Sequence, residues 1–374
     1  MSNLSTSSSE ETTFPVDGQL LMVLPRAGVA LSNPDVRLPI LRSDGDSYYL
    51  EMRVDADGRD PTEVAVTRRV PLENVSEEEW EELQAQCSNL DLQSFVDLGV
   101  SKGIEKIQDR RIERLLMALL TFLNPRQVSI VLYLYRLASE QGNGPLVSFR
   151  SNDLLEALGY TRTKDGGFAS KLRSQLHRDL VALHRTELVF AQSLRKGDNL
   201  GAKVTIKSVL RIKDYEIENV PRNFDLLKAA DYTYELADAY TISLEFFDGP
   251  ARTGDYVLFA NSLDISQKLG GNTKHDYKTK LLVYLASRMK WDRLHDGQYL
   301  SISKRYLFKN LDLLGRNSSR NNQIFWRTVE ELREDGYLLG AQEIPGKKKS
   351  ANIQFQINPD KLGVVAEDGK AAQS

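Results

Sequence analysis

Residues 168–194, FASKLRSQLHRDLVALHRTELVFAQSL, decide how the rest of the chain is read. Leu172, Leu176, Leu180 and Leu183 recur at helical spacing. At 100° per residue they fall within an arc of about 80°, which makes one apolar face. The opposite arc carries Ser170, Lys171, Ser174, His177, Arg178 and Arg185 and no acid. Asp179 falls on the apolar side, where a carboxylate needs a partner. After Thr186 the text changes to ELVFAQSL, whose aromatic and β-branched residues predict a strand.

Upstream of this helix and strand, RQVSIVLYLYRLASEQ (Arg126–Gln141) reads as an apolar helix and LVSF as a short strand. SNDLLEALG follows as a second helix, with Ser151 as N-cap and Gly159 as stop. The loop YTRTKDGG adds Arg162 and Lys164. Downstream, the basic turn RKGDNLGAK, with Arg195, Lys196 and Lys203, leads into a return strand, VTIKSVLRI. Helix, strand, helix, helix and hairpin is the order of a winged helix-turn-helix.

The order occurs again. DYKTKLLVYLASRMKW (Asp276–Trp291), QYLSI, KRYLFKNLDLLG, the loop RNSS, NNQIFWRTVEELRED, GYLLGAQEI, PGKKKS and ANIQFQI repeat it element by element. Ser148 and Ser301, Leu154 and Leu307, and Leu158 and Leu311 are each 153 apart; Leu183 and Leu332, and Val189 and Leu338, are 149 apart. Steady spacing is the mark of a duplicated unit. In the second helix of interest Phe325, Val329 and Leu332 point inward, while Arg320, Gln323 and Arg327 point outward early and Glu330, Glu331 and Glu334 late. Arg316 and Ser319 precede this face, and Lys347, Lys348 and Lys349 occupy the wing turn. Arg and Gln pair bidentately with guanine and adenine edges, and lysines suit phosphate.

The expected fold class is therefore α+β: two winged helix-turn-helix domains in tandem, preceded by a small acidic β-rich region. Residues 1–18 are Ser/Thr/Glu-rich and read as disordered, and 19–100 as a strand-rich region containing QLLMVLP, VRLPIL, SYYLEMRV and TEVAVTRRV. Ser76 and Glu79 form a capping box ahead of a short helix. The first winged-helix domain is expected over 101–215, including an amphipathic helix from Gly103 to Leu123. A partly ordered linker over 216–254, a second domain over 255–360 and a loose tail over 361–374 complete the chain.

Charge follows the same division. The 374 residues carry a net −3, with 41% hydrophobic and 27% charged residues. Residues 1–100 hold 7 Arg, no Lys and 19 acids, a net of −12; the remainder holds 42 basic and 33 acidic residues, a net of +9. A basic segment of that size points to a polyanion as partner. No apolar run reaches the roughly 18 residues of a membrane span, so no membrane partner is expected, and no secretory signal is visible, so a cytoplasmic location is expected.

Catalytic signatures are absent from the text. There is no G-x-x-x-x-G-K-[ST] and no HExxH; LGGNTKHDYK lacks the spacing of a phosphate loop. The four histidines, His177, His184, His275 and His295, form no metal pair, and the single Cys87 rules out an internal disulfide. No enzyme, no metal and no cofactor is expected.

Two phrases, LNPRQVSIVLYLYRLA and SKLRSQLHRDLVALHRTELVF, together with the paired architecture over roughly 125–360, resemble the plasmid replication initiators that bind repeated origin sequences. The resemblance implies sequence-specific binding to double-stranded DNA, with the second domain as main reader through Arg320, Gln323 and Arg327. The first domain would add Lys171, Ser174, Arg178 and its wing. It also implies host helicase or initiator proteins as partners, and a homodimer as one assembly form. A winged-helix transcriptional regulator or partition factor, and a winged-helix scaffold that binds no DNA, remain as alternative readings.

Overall fold

A computed structural model describes residues 12–24, 40–43, 48–56, 62–72, 76–88, 124–142, 144–196, 199–218, 236–247, 256–266, 277–291, 299–311, 318–346 and 351–364, with residues 220, 222, 224 and 313. Within them the chain is α+β, with helices and four antiparallel sheets. The helix expected over 103–123, Arg316 and Lys347–Lys349 lie outside the described residues.

The first strand corrects two expectations. β1 (Thr13–Asp17) falls in the stretch expected to be disordered, and α1 (Gly18–Val23) takes up the start of the predicted strand QLLMVLP. The Asp17 carboxylate accepts the N–H groups of Gln19 at 2.8 Å and Leu20 at 3.1 Å, an N-cap that starts a helix directly after the strand. β2 (Ile40–Ser43), β3 (Tyr48–Ala56) and β4 (Thr62–Leu72) then form an antiparallel meander. α2 (Glu77–Ser88) begins with the expected reciprocal cap: Glu79 N–H donates to Ser76 Oγ and Ser76 N–H to the Glu79 carboxylate.

The first helical unit opens with α3 (Pro125–Glu140), capped by Asn124 and Gln127, followed by β5 (Leu146–Arg150) and α4 (Ser151–Ala157). Ser151 is the first helical residue rather than the cap; its hydroxyl donates to the Ala237 carbonyl at 2.6 Å. In α5 (Ser170–His184) Leu176, Leu180 and Leu183 are buried, as the spacing requires. Asp179 finds its partner in α3, accepting from Arg126 Nε at 2.5 Å and Gln127 Nε2 at 3.1 Å.

After α5 the pairing departs from the expected wing. β6 (Thr186–Lys196) and β7 (Asn199–Ser208) form a long hairpin, but β6 also pairs with β4. The hairpin therefore completes a five-stranded sheet, β2-β3-β4-β6-β7. VTIKSVLRI is two strands, not one. Its buried Val209 and Leu210 separate β7 from β8 (Arg211–Glu216), with the Val209 N–H donating to the Thr186 carbonyl and the Ser208 N–H to the Glu245 carboxylate at 2.6 Å. β9 (Ala239–Ser243), from the expected linker, lies between β5 and β8 in the order β5-β9-β8.

The second unit begins with β10 (Tyr256–Ala260) and continues through α6 (Tyr277–Trp291), β11 (Tyr299–Ser303), α7 (Lys304–Asn310), α8 (Ser318–Glu334), β12 (Leu338–Pro345) and β13 (Ala351–Ile357). Its sheet has the order β11-β13-β12, so the last strand is again central. Both units also break register in the strand preceding the central one, between Ile212 and Asp214 and between Leu338 and Gly340. β12 thus stands where β8 stands, and the hairpin β6–β7 intervenes between α5 and β8 in the first unit alone. The 149-residue correspondence holds along the helix, where Leu183 and Leu332 are both buried, but Val189 lies in β6 and Leu338 in β12.

β14 (Leu362–Val364), from the expected tail, pairs with β10, whose other neighbour is β1. α3 packs on β1 and α1 on α6, so this small sheet joins the units. Arg136 of α3 donates to the carbonyls of Asn261 at 3.2 Å and Leu263 at 3.3 Å across the same junction.

Two of these contacts lead to stability predictions. Asp179→Ala strands the Arg126 guanidinium beside a core and should destabilise the chain by about 3 kcal/mol in urea unfolding; an unchanged midpoint would remove the pair from the fold's supports. The second concerns His184, whose Nδ1 accepts the Ile212 N–H at 3.3 Å. Burial, then the Arg185 and Arg211 charges, lower its pKa, with a hydrogen bond to the Leu210 backbone and then Glu245 opposing them. Above about pH 6.5 folded and unfolded forms both hold the neutral ring. Below it the unfolded chain takes the proton first, so folding weakens as pH falls. His184→Asn should flatten this decline between about pH 6.5 and 5 in thermal unfolding; parallel profiles would rule out the imidazole as its source.

Candidate nucleic-acid interface

α5 and α8 each bury a three- or four-residue apolar stripe and turn the start of the helix outward. In α8, Phe325, Val329 and Leu332 are buried, while Ser319, Arg320, Gln323 and Arg327 are all exposed. Arg327 Nε lies 3.8 Å from the Glu331 carboxylate, and 71% of its side chain is exposed. Such a surface pair is worth about 0–1 kcal/mol, so little opposes its exchange for a phosphate or base. Further along, Arg333 pairs with Glu330 and Lys278 of α6 with Asp335. The acids of the late turns are therefore partly neutralised within the unit, and the early turns keep the cationic and amide groups.

The corresponding positions of α5 are 149 residues earlier. Lys171 stands where Arg320 stands, Ser174 where Gln323 stands, and Arg178 where Arg327 stands. Ser170, Lys171 and Arg178 are exposed and Ser174 is half-buried; Arg178 also reaches Gln175 Oε1 at 3.4 Å. The loop residue Lys164 is exposed. Arg162, also exposed, is engaged by α4 and by its own loop, donating to Glu156 at 2.5 Å and the Gly166 carbonyl at 3.0 Å, with Phe168 under the guanidinium.

His177 corrects the helical-wheel reading. It is 1% exposed, not outward: its Nδ1 is hydrogen-bonded to the Tyr240 hydroxyl at 2.7 Å, and the Tyr215 ring meets it edge-on. Burial raises the Tyr240 pKa, so that hydroxyl stays protonated. Arg173 adds a second lock, donating to Asp238 Oδ1 at 2.5 Å and to the carbonyls of Leu236 and Ala237. β8, β9 and the residues just before β9 thus cover one side of α5 and leave Ser170, Lys171 and Arg178 exposed. At the position of His177 the second unit has Trp326, half-buried and edge-on to Phe325.

The remaining basic candidates are separated from this arrangement. Lys203 is exposed on β7, opposite Gln192, while Arg195 and Lys196 close the β6 side of the hairpin opposite Leu200 and Asn199. All three belong to the five-stranded sheet, not to the sheet β5-β9-β8 that packs on α5. The segment joining β8 to β9 contains an exposed arginine, Arg222, that helix and strand patterning assigns to a linker. Only the strand order β5-β9-β8 brings it to notice. Among the described residues no group of three or more His, Cys, Asp or Glu is placed to hold a metal ion, and no helix is long and apolar enough to cross a membrane.

No family model matches the chain. Among curated proteins, the β′ subunits of DNA-directed RNA polymerase from Ureaplasma parvum serovar 3 and Ureaplasma urealyticum serovar 10 are 26% identical over 154 residues and 24% identical over 189 residues. These alignments take in 38% and 48% of the chain but only 11% and 14% of those subunits. Among solved structures, domains 2 and 3 of RctB, seen in two crystal structures, are similar at TM-scores of 0.43 and 0.40 with 13% identity. Both matches cover 89% of this chain, and 99% and 96% of the other. Likenesses at this level establish neither a shared fold nor a shared role.

Proposed function

We propose that this chain is a sequence-specific duplex-DNA-binding protein that acts in replication initiation, with two winged-helix units and no catalytic chemistry of its own. The observation that carries the reading is the matched outward face of α5 and α8: Lys171, Ser174 and Arg178 against Arg320, Gln323 and Arg327, at one spacing on helices of the same topological place. A helix entering the major groove meets base edges with its first turns. Arg320, Gln323 and Arg327 supply bidentate partners for guanine and adenine, and Ser170, Ser319, Lys164 and Lys171 suit backbone contact.

The wing of such a unit joins its second and third strands. In the first unit that is the connection from β8 to β9, with Arg222, and in the second the connection from β12 to β13, whose sequence includes Lys347, Lys348 and Lys349. Arg195, Lys196 and Lys203 then fall outside both wings. Lacking a phosphate-cradling loop, the protein would mark or open an origin and leave unwinding to a host helicase.

Selection from random duplex DNA tests this reading. Enrichment of a defined site, and of direct repeats in origin-derived fragments, is expected; no enrichment at about 50 mM salt would refute DNA binding, because six or more phosphate contacts act strongly there. A single promoter palindrome would refute the initiator role while keeping the interface. Arg320→Ala with Arg327→Ala should weaken specific binding by about 1–3 kcal/mol per lost base contact. The triple alanine variant of Arg195, Lys196 and Lys203 should leave site preference unchanged in the same titrations.

A further inference from the structure

The five-stranded sheet ends on β7, which among the described strands pairs with β6 alone. Their register runs unbroken from Glu187 opposite Ser208 to Lys196 opposite Asn199. Ten residues of regular strand therefore present a row of N–H and C=O groups along the outer edge. Folded proteins blunt such edges with bulges, prolines or charge. β12, at the edge of the second unit's sheet, has a register break after Leu338 and ends on Pro345. β7 has neither. Instead Val204 and Ile206 are 58% and 60% exposed, and they alternate with Lys203, Thr205 and Lys207. Lys203 is exposed, and the Lys207 ammonium lies 4.9 Å from the centre of the Phe246 ring. Strand alternation puts the two aliphatic side chains on one face and the two cations on the other.

We propose that the edge of β7 receives an extended strand of a partner protein in which aliphatic and acidic residues alternate. Main-chain hydrogen bonds extend the sheet, the aliphatic side chains cover Val204 and Ile206, and the carboxylates face Lys203 and Lys207. A second copy of this chain fits less well. Antiparallel self-pairing centred on Thr205 sets Val204 against Ile206 but also Lys203 against Lys207, and like charges directly opposite are destabilising. Centring on Val204 parts the lysines but leaves Ile206 against Ala202 and Lys207 against Gly201. This edge is independent of the DNA reading, since β7 belongs to neither proposed winged-helix sheet.

A random decapeptide display library selected against the full chain, with Ile206→Glu as counter-target, tests the proposal. Enriched peptides should alternate Val, Ile or Leu with Asp or Glu. Their affinity should fall roughly tenfold with Ile206→Glu and with Lys203→Glu, and should fall with rising salt. Both replaced side chains are exposed, so equal unfolding midpoints verify that the variants fold. No enrichment, enrichment of basic or non-alternating peptides, or binding indifferent to both substitutions would overturn the assignment. So would sedimentation equilibrium showing a wild-type dimer that Ile206→Glu dissociates, which would give the edge to a second copy.

Discussion

The antiparallel pairing of Thr13–Asp17 with Tyr256–Ala260 holds the two helical units to each other. β1 reaches back across more than half the chain, stacking Phe14 on Phe259 with ring centres 5.8 Å apart and burying Val16 completely. The cap that Asp17 makes then turns the chain into α1, whose Leu20 and Leu21 are also fully buried. Each such side chain contributes about 1.5–3 kcal/mol relative to exposure, enough together to offset the entropy of closing so long a loop. Arg136 and Thr12 reinforce the same junction through Asn261, whose carbonyl accepts from Arg136 and whose side-chain amide donates to Thr12. Two helices that would otherwise be borne on separate bodies are thereby held by one shared sheet.

Within the first unit the buried polar contacts serve orientation. Arg126 and Gln127 of α3 grip Asp179 in the middle of α5, so the rotation of α5 about its axis is set by a charged pair as well as by leucines. From the other side, Arg173 with Asp238 and His177 with Tyr240 fasten α5 to β9. Both links reach β9 or the residue just before it, so the outward exposure of Lys171 and Arg178 depends on residues some 60 positions away. In the second unit the same place is filled by aromatic packing of Phe325, Trp326 and Phe355. The two units hold their helices by different chemistry around the same strand order.

The exposed face of α8 is legible in the sequence, because periodicity and residue type together assign Arg320, Gln323 and Arg327 outward. α5 is legible in its leucines and in the need of Asp179 for a partner. A helical wheel misplaces His177 because it knows only the helix, and the residues that cover it, Tyr215 and Tyr240, lie on strands recruited from further along the chain. The place of the β6–β7 hairpin escapes sequence patterning for a related reason. ELVFAQSL and VTIKSVLRI do form strands, but nothing in a strand's own text says which neighbour it will hydrogen-bond.

By itself the sequence determined what depends on contacts a few residues apart: the helices after residue 76, their apolar stripes, the reciprocal cap at Ser76, and the repeated order of elements. Tertiary structure alone decided the pairing of β4 with β6, of β5 with β9 and of β1 with β10. Side-chain periodicity is local and is written in every few residues. Backbone donors and acceptors are the same at every position, so which strands share them is settled by the burial each arrangement achieves across the whole chain.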